Sequence, residues 1–208
     1  ADSTTAHKLG INSRRSAYGQ TAIIANIQLN QRHQGVAYER FTDQGPMALL
    51  PLPDYKGQYR SALVWAQPEE TASQLVEATD EDFLRSLQQR FGHRLGTFKQ
   101  VGQRTAYNLV LTLASEQVRR NVVVMGNAAH SLHPVAGQGF NLSLRDAAAL
   151  ADKLSEARIQ QKSIGSLETL ECYYQQQRID QRNTLVFSDS LTKFFAGASN
   201  VAAMGRNS

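Results

Sequence analysis

The sequence predicts a mixed fold of the α+β / α/β kind, with an antiparallel sheet and covering helices first and a strand, long loop and helices after. Two observations carry this. The first third of the 208-residue chain is a series of short alternating apolar runs broken by turn residues, the pattern of a meander. From Val122 to Leu144 the chain reads VVVMGNAAHSLHPVAGQGFNLSL, without one Asp, Glu, Lys or Arg, and passes from a β-branched run into a helical pattern.

The strands follow in order. Thr21 to Leu29, Val36 to Phe41, Met47 to Leu52 and Tyr59 to Ala66 are the apolar runs, separated by Asn30, Asp43, Gly45, Pro53, Asp54 and Gly57. Thr79 followed by Asp82 resembles a capping box, and Phe83, Leu84, Leu87 and Phe91 then share a helical face until Gly92 stops it. Thr97 to Ser115 reads as one or two further strands, and Arg120 to Met125 as a buried strand. Leu144, Ala147, Ala148, Ala151 and Leu154 form a small-residue stripe suited to close packing, and a second helix starts near Ser166 with Leu167, Leu170 and Tyr174. No internal repeat is present. The expected domains are 1–18, a remnant and linker; 19–117, the sheet domain; 118–160, strand, loop and helix; and 161–208, C-terminal helices.

Composition excludes several classes. The 41% hydrophobic content supports a real core. Basic residues number 22 against 18 acidic, a net +4 spread along the chain, too dispersed for nucleic acid but compatible with weak attraction to an anionic membrane. A lone Cys172 forms no internal disulfide and fits a reducing compartment. No stretch reads as a signal peptide or a spanning helix. The start at Ala1-Asp2, without Met, is expected to mark a piece of something longer.

About a dozen residues separate Gly126 from the helix entry at Gly137-Gln138-Gly139, whereas ordinary strand-to-helix loops take roughly 2–6. A long uncharged loop suits the wall of a binding site. A dinucleotide fingerprint needs glycine where Leu142 stands, and a phosphate loop needs a Lys after Gly139; neither is met. His130 and His133 have no Cys or carboxylate close in sequence, so no metal site is expected and hydrogen-bonded loop histidines are. Gly137 and Gly139 are open to two readings, a tight helix entry alone or a seat where amides at a helix N-terminus meet a flat or anionic ligand.

The spelling Gly126-Asn127-Ala128-Ala129-His130, His133-Pro134, Gly137-Gln138-Gly139, Asn141 and Asp146 resembles the second flavin-binding motif of the class A flavoprotein monooxygenases. These are the para-hydroxybenzoate hydroxylase-like group, and the ubiquinone-biosynthesis hydroxylases are the most similar subfamily. Ala22 to Ile27, Tyr38 to Phe41, Gly45-Pro46, Leu49 to Pro51 and Leu63 to Trp65 resemble the substrate-domain strands of the same proteins in the expected order, and Tyr173 to Arg178 resembles their later helix.

The resemblance implies a substrate-binding sheet domain joined to the C-terminal part of an FAD domain. FAD is the implied cofactor, with NAD(P)H as reductant and O2 as oxidant for hydroxylating a prenylated phenol. It implies cofactor contacts from Gly126, Asn127, Pro134, Gly137, Gln138, Gly139, Asn141 and Leu142, Asn127 standing where the wider group has Asp. No catalytic side chain is implied, because the flavin carries the chemistry. The group's N-terminal Gly-x-Gly-x-x-Gly turn is not found in the sequence, and Asp2 matches only the start of another of its motifs. This chain alone is therefore expected to be inactive. Leu49, Leu50, Pro51 and Trp65 suit a core better than a pocket; Arg104 and Tyr107 stay unassigned, as do all substrate-binding residues. A greasy substrate implies a cytoplasmic protein peripheral to the inner membrane, with a ubiquinone-biosynthesis complex as partner. Two alternatives remain: a noncatalytic quinone-precursor-binding or assembly subunit, and a flavin hydroxylase of a soluble phenol.

Overall fold

A computed structural model describes residues 3–134 and 137–196, with side chains through Ser190. Asp2 lies outside the described residues. The chain divides into two compact units. One comprises the chain up to Tyr18 together with Val110–Leu191, the other Gly19–Leu109.

In the second unit, β1 (Ser13–Leu29, from Gly19 onward), β2 (Tyr38–Thr42), β3 (Gly45–Tyr55) and β4 (Gln58–Pro68) pair antiparallel in the order β2-β3-β4-β1, and β5 (Phe98–Val101) also pairs with β1. The register Ile23↔Trp65, Ala25↔Leu63 and Met47↔Trp65 puts alternate residues on one face, as a period of two requires. On that face Ile23, Ala25, Ile27, Leu29, Met47, Leu49, Leu63 and Trp65 are buried. Two helices cover them, α2 (Glu69–Glu77) and α3 (Asp80–Phe91), through Ala72, Phe83, Leu87 and Phe91. Trp65 meets Phe83 edge-on at 5.9 Å, a favourable aromatic geometry.

Local chemistry explains the boundaries. Thr79 caps α3 by accepting from the Asp82 N–H, and Gly92 ends it at φ +84°. The sequence reading ended the third strand near Pro53. In fact β3 continues through Pro51 and Pro53 to Tyr55, and the reversal falls at Lys56 and Gly57, φ 49° and 75°. Two positive φ values in a two-residue loop match the right-handed twist of the flanking strands. Arg104 donates to the carbonyls of Leu75 and Ala78 and pairs with Asp80 at 3.0 Å, so it fastens α2 and α3. Leu49 and Trp65 are core, while Leu50 is exposed on the opposite face.

In the first unit, α1 (Thr4–Lys8) is a single turn capped by Ser3. The end of β6 (Thr105–Ala114) pairs with β9 (His130–Ser131). The strand expected over 120–125 is reduced to β8 (Val122–Val123), paired with β7 (Val118–Arg119) across a turn with Asn121 at φ 61°. A strand extends only as far as its partner, and β7 offers two residues. Val124 instead joins a small cluster with Ala6, Ile11 and Ala129.

Two long helices complete this unit, α4 (Gln138–Ile159) and α5 (Leu167–Ala196). The stripe of Leu144, Ala147, Ala148, Ala151 and Leu154 is not the buried face of α4: the first four are exposed. Leu142, Asp146, Ala149 and Ala157 face inward instead. Their successive spacings of four, three and eight are helical, but a carboxylate in the line masks the apolar signal.

Candidate functional site

The charge-free segment is several short pieces. Gly126–Ala128 forms a 3-10 turn, His130–Ser131 is β9, and the chain then runs through His133 and Pro134 toward α4. Gly126 takes φ +60°, and a Cβ there would lie 3.4 Å from Ser143 Oγ. This turn therefore packs against the second turn of α4 and suits glycine on both counts.

Gly137 is the N-cap of α4, left-handed at φ 61°, and no side chain caps the helix. A Cβ on Gly137 or Gly139 would meet nothing within 4 Å. Open space beside an uncapped helix start is what a flat or anionic group needs to reach the first-turn amides. Asn127, Pro134 and Asn141 are exposed, and Gln138 and Gly139 are half-buried. Leu142 is fully buried, so its side chain belongs to the core. The structure brings Gly126 up to α4 and gathers Gly137, Gln138, Gly139 and Asn141 into the helix entry.

Sequence reasoning missed what holds these pieces. His130 and Asp146 are 1% and 0% exposed, and His130 Nε2 lies 2.7 Å from Asp146 Oδ2. The other oxygen of Asp146 accepts from Gln181 Nε2 at 3.1 Å, and Gln181 exchanges amide hydrogen bonds with Gln117 at 2.9 and 3.1 Å. The carboxylate for the histidine lies sixteen residues along the chain. A polar residue on the inward line of a helix was the available signal, since buried acids demand donors.

His133 is also buried and stacks edge-on with Tyr18 at 5.1 Å. Burial pushes its pKa down to about 4, so at neutral pH the ring is uncharged. Burial, and then the charge of Asp189, raises the Tyr18 phenol above its ordinary range. Burial and Asp146 do the same to Tyr173. Among the described residues no group of three or more His, Cys, Asp or Glu could hold a metal ion.

Residues 1–180 match the family described as FAD binding domain. Ubiquinone hydroxylase UbiL of Rhodospirillum rubrum is 37% identical over 197 residues, covering 95% of this chain and 45% of that protein. The 3-demethoxyubiquinol 3-hydroxylase of Escherichia coli is 29% identical over 200 residues, 96% of this chain and 49% of that protein. The chain thus spans about half the length of these relatives. Among solved structures, PqsL from Pseudomonas aeruginosa superposes with a TM-score of 0.73 at 22% identity, over 98% of this chain and 55% of that one. The p-nitrophenol 4-monooxygenase PnpA from Pseudomonas putida gives 0.68 at 20% identity, over 99% and 51%. These two likenesses establish the fold, that of FAD-dependent monooxygenases. With the match extending over most of its length, the chain belongs to the FAD binding domain family.

Proposed function

We propose that this chain forms part of an FAD-dependent monooxygenase that hydroxylates the aromatic ring of a prenylated phenol in ubiquinone biosynthesis, using NAD(P)H and O2. The observation that carries the reading is the entry to α4, where glycines open an uncapped helix N-terminus in a segment free of charged side chains. The names of two relatives, a ubiquinone hydroxylase and a 3-demethoxyubiquinol 3-hydroxylase, support this choice of substrate class.

The residues present fit the isoalloxazine half of FAD. Gly137, Gln138, Gly139 and Asn141, with the backbone at Leu142, would hold the pyrimidine side; Gly126 and Asn127 would meet the ribityl chain, and Pro134 would border the ring. When bound, FAD supplies the redox chemistry and the activation of dioxygen. The chain's own part is electrostatic and steric. The positive end of α4 favours negative charge on the ring by about 0.3–1 kcal/mol, more where water is excluded. Asn127 offers a neutral amide oxygen where a carboxylate would add negative charge. Neutral His133 adds no positive charge of its own at neutral pH. No side chain is assigned as nucleophile or general base.

A prenylated substrate places the protein in the cytoplasm at the inner membrane surface, docked peripherally and in company with other ubiquinone-biosynthesis enzymes. The net charge of +4 suits such a surface. The whole protein carrying this chain should purify yellow, and a strain deleted for its gene should accumulate a prenylphenol lacking one ring hydroxyl. Purified protein without flavin absorbance after FAD addition, or a deletion strain with an unchanged prenylphenol profile, would overturn the proposal.

A further inference from the structure

His130 joins three elements at one point. Its backbone pairs with Leu113 of β6, its imidazole reaches Asp146 on α4, and through Asp146 it is tied to Gln181 on α5. The imidazole makes one hydrogen bond, since Nδ1 is buried with no partner among the described residues. Nε2–H is therefore the donor, and the carboxylate sets the orientation of the ring. Asp146 receives one donor on each oxygen, so neither partner can leave without stranding a buried polar atom.

The covalent path between these residues is the glycine loop itself. Residues 130 and 146 bracket Pro134 and the whole entry of α4. Their side chains cross-link the two ends of that segment, whose first two residues pair with β6 as β9. We propose that the His130–Asp146 hydrogen bond is a positioning lock, closing the loop before any ligand arrives and so presenting the Gly137–Asn141 backbone ready-made to the flavin ring. His130 and Asp146 touch no ligand in this role. They act through the loop, whose ordering would otherwise be charged against binding. The purpose of the lock rests on the flavin reading above; its existence as a loop constraint does not.

The test uses the whole protein that carries this chain, with His130→Ala, His130→Gln and Asp146→Asn. Two readouts are taken: amide hydrogen exchange without FAD, and FAD affinity with the shape of the flavin absorption band. In His130→Ala, exchange across 126–134 and 137–141 should rise at least about tenfold while the β1 amides of residues 23–29 keep their protection, and FAD should bind about tenfold or more weakly. A uniform rise, in core and loop alike, would indicate mere destabilisation and overturn the lock. His130→Gln, which keeps an N–H donor, should recover most of the affinity; a loss equal to that of His130→Ala would also overturn it. Should His130→Ala fail to fold, Asp146→Asn decides, with an intermediate loss expected and undiminished affinity overturning the lock. Wild-type protein that does bind FAD, but no more tightly than His130→Ala, sinks the lock and leaves the flavin reading standing. If neither binds FAD while loop exchange still responds, the flavin reading falls and the lock loses its purpose.

Discussion

Two glycines two positions apart make opposite predictions, and the difference separates structure from ligand binding. Gly137 is left-handed at φ 61°, so an alanine there is strained although space is open. Gly137→Ala should cost about 1–2 kcal/mol of stability by thermal denaturation. Gly139 sits in the first turn of α4 with ordinary backbone and open space. Gly139→Ala should leave stability unchanged or raise it by up to about 1 kcal/mol, yet weaken FAD binding if the ring lies against that backbone. Unchanged affinity in Gly139→Ala would argue that the glycine serves only the helix entry. His133 adds a pH signature. Above its unfolded pKa of 6.5 the ring is neutral in both states, and the stability tied to this site is fully present. As pH falls toward the folded value of about 4, the unfolded chain takes up a proton that the folded chain refuses, so stability declines. Between pH 7 and pH 5 the loss at this site is about 2 kcal/mol. Urea unfolding of His133→Gln should lack that part of the pH slope, and a slope identical to wild type would show that other groups produce it.

At the scale of elements, what was legible depended on whether the signal was local. The four strands of the meander and α3 are declared by alternation, turn residues and a cap within a few positions of each other. Thr79→Ala should therefore cost about 1 kcal/mol, measured as a fall in melting temperature, because Thr79 Oγ both accepts from the Asp82 N–H and donates to its carboxylate. A negligible fall would mean that packing of Phe83, Leu87 and Phe91 alone fixes the helix start. Where partners lie far off in sequence, the reading failed. The length of β8 was set by β7, the inward face of α4 was hidden by Asp146, and the partner of His130 lies on another element. Helix α2 escaped notice because Ala72 is its one buried residue. The glycine entry was legible, being a short contiguous signal; the polar network beneath it was not, because its members come from residues 117, 130, 146 and 181.

At the scale of the whole molecule, the question is how much of a cofactor these 208 residues can hold by themselves. They span 45% and 49% of the relatives compared, contain no Gly-x-Gly-x-x-Gly sequence, and have at α4 the uncapped entry proposed above for the ring half of FAD. FAD behaves as a bivalent ligand whose ring and adenylate halves are covalently joined. Seating one half raises the effective concentration of the other, and losing a seat typically lowers affinity by about 10²–10⁴. The 208 residues alone should therefore bind FAD weakly. On the ring-site reading they should also bind FMN about as well as FAD, because only the flavin half would then be seated. Titration followed by quenching of flavin fluorescence measures both affinities in one series. Tight stoichiometric binding of FAD with rejection of FMN would mean that an adenylate seat exists within these residues, contrary to the assignment of α4 as a ring site alone. Equal, weak affinities abolished by bulk at position 139 would tie the remaining binding to the glycine entry.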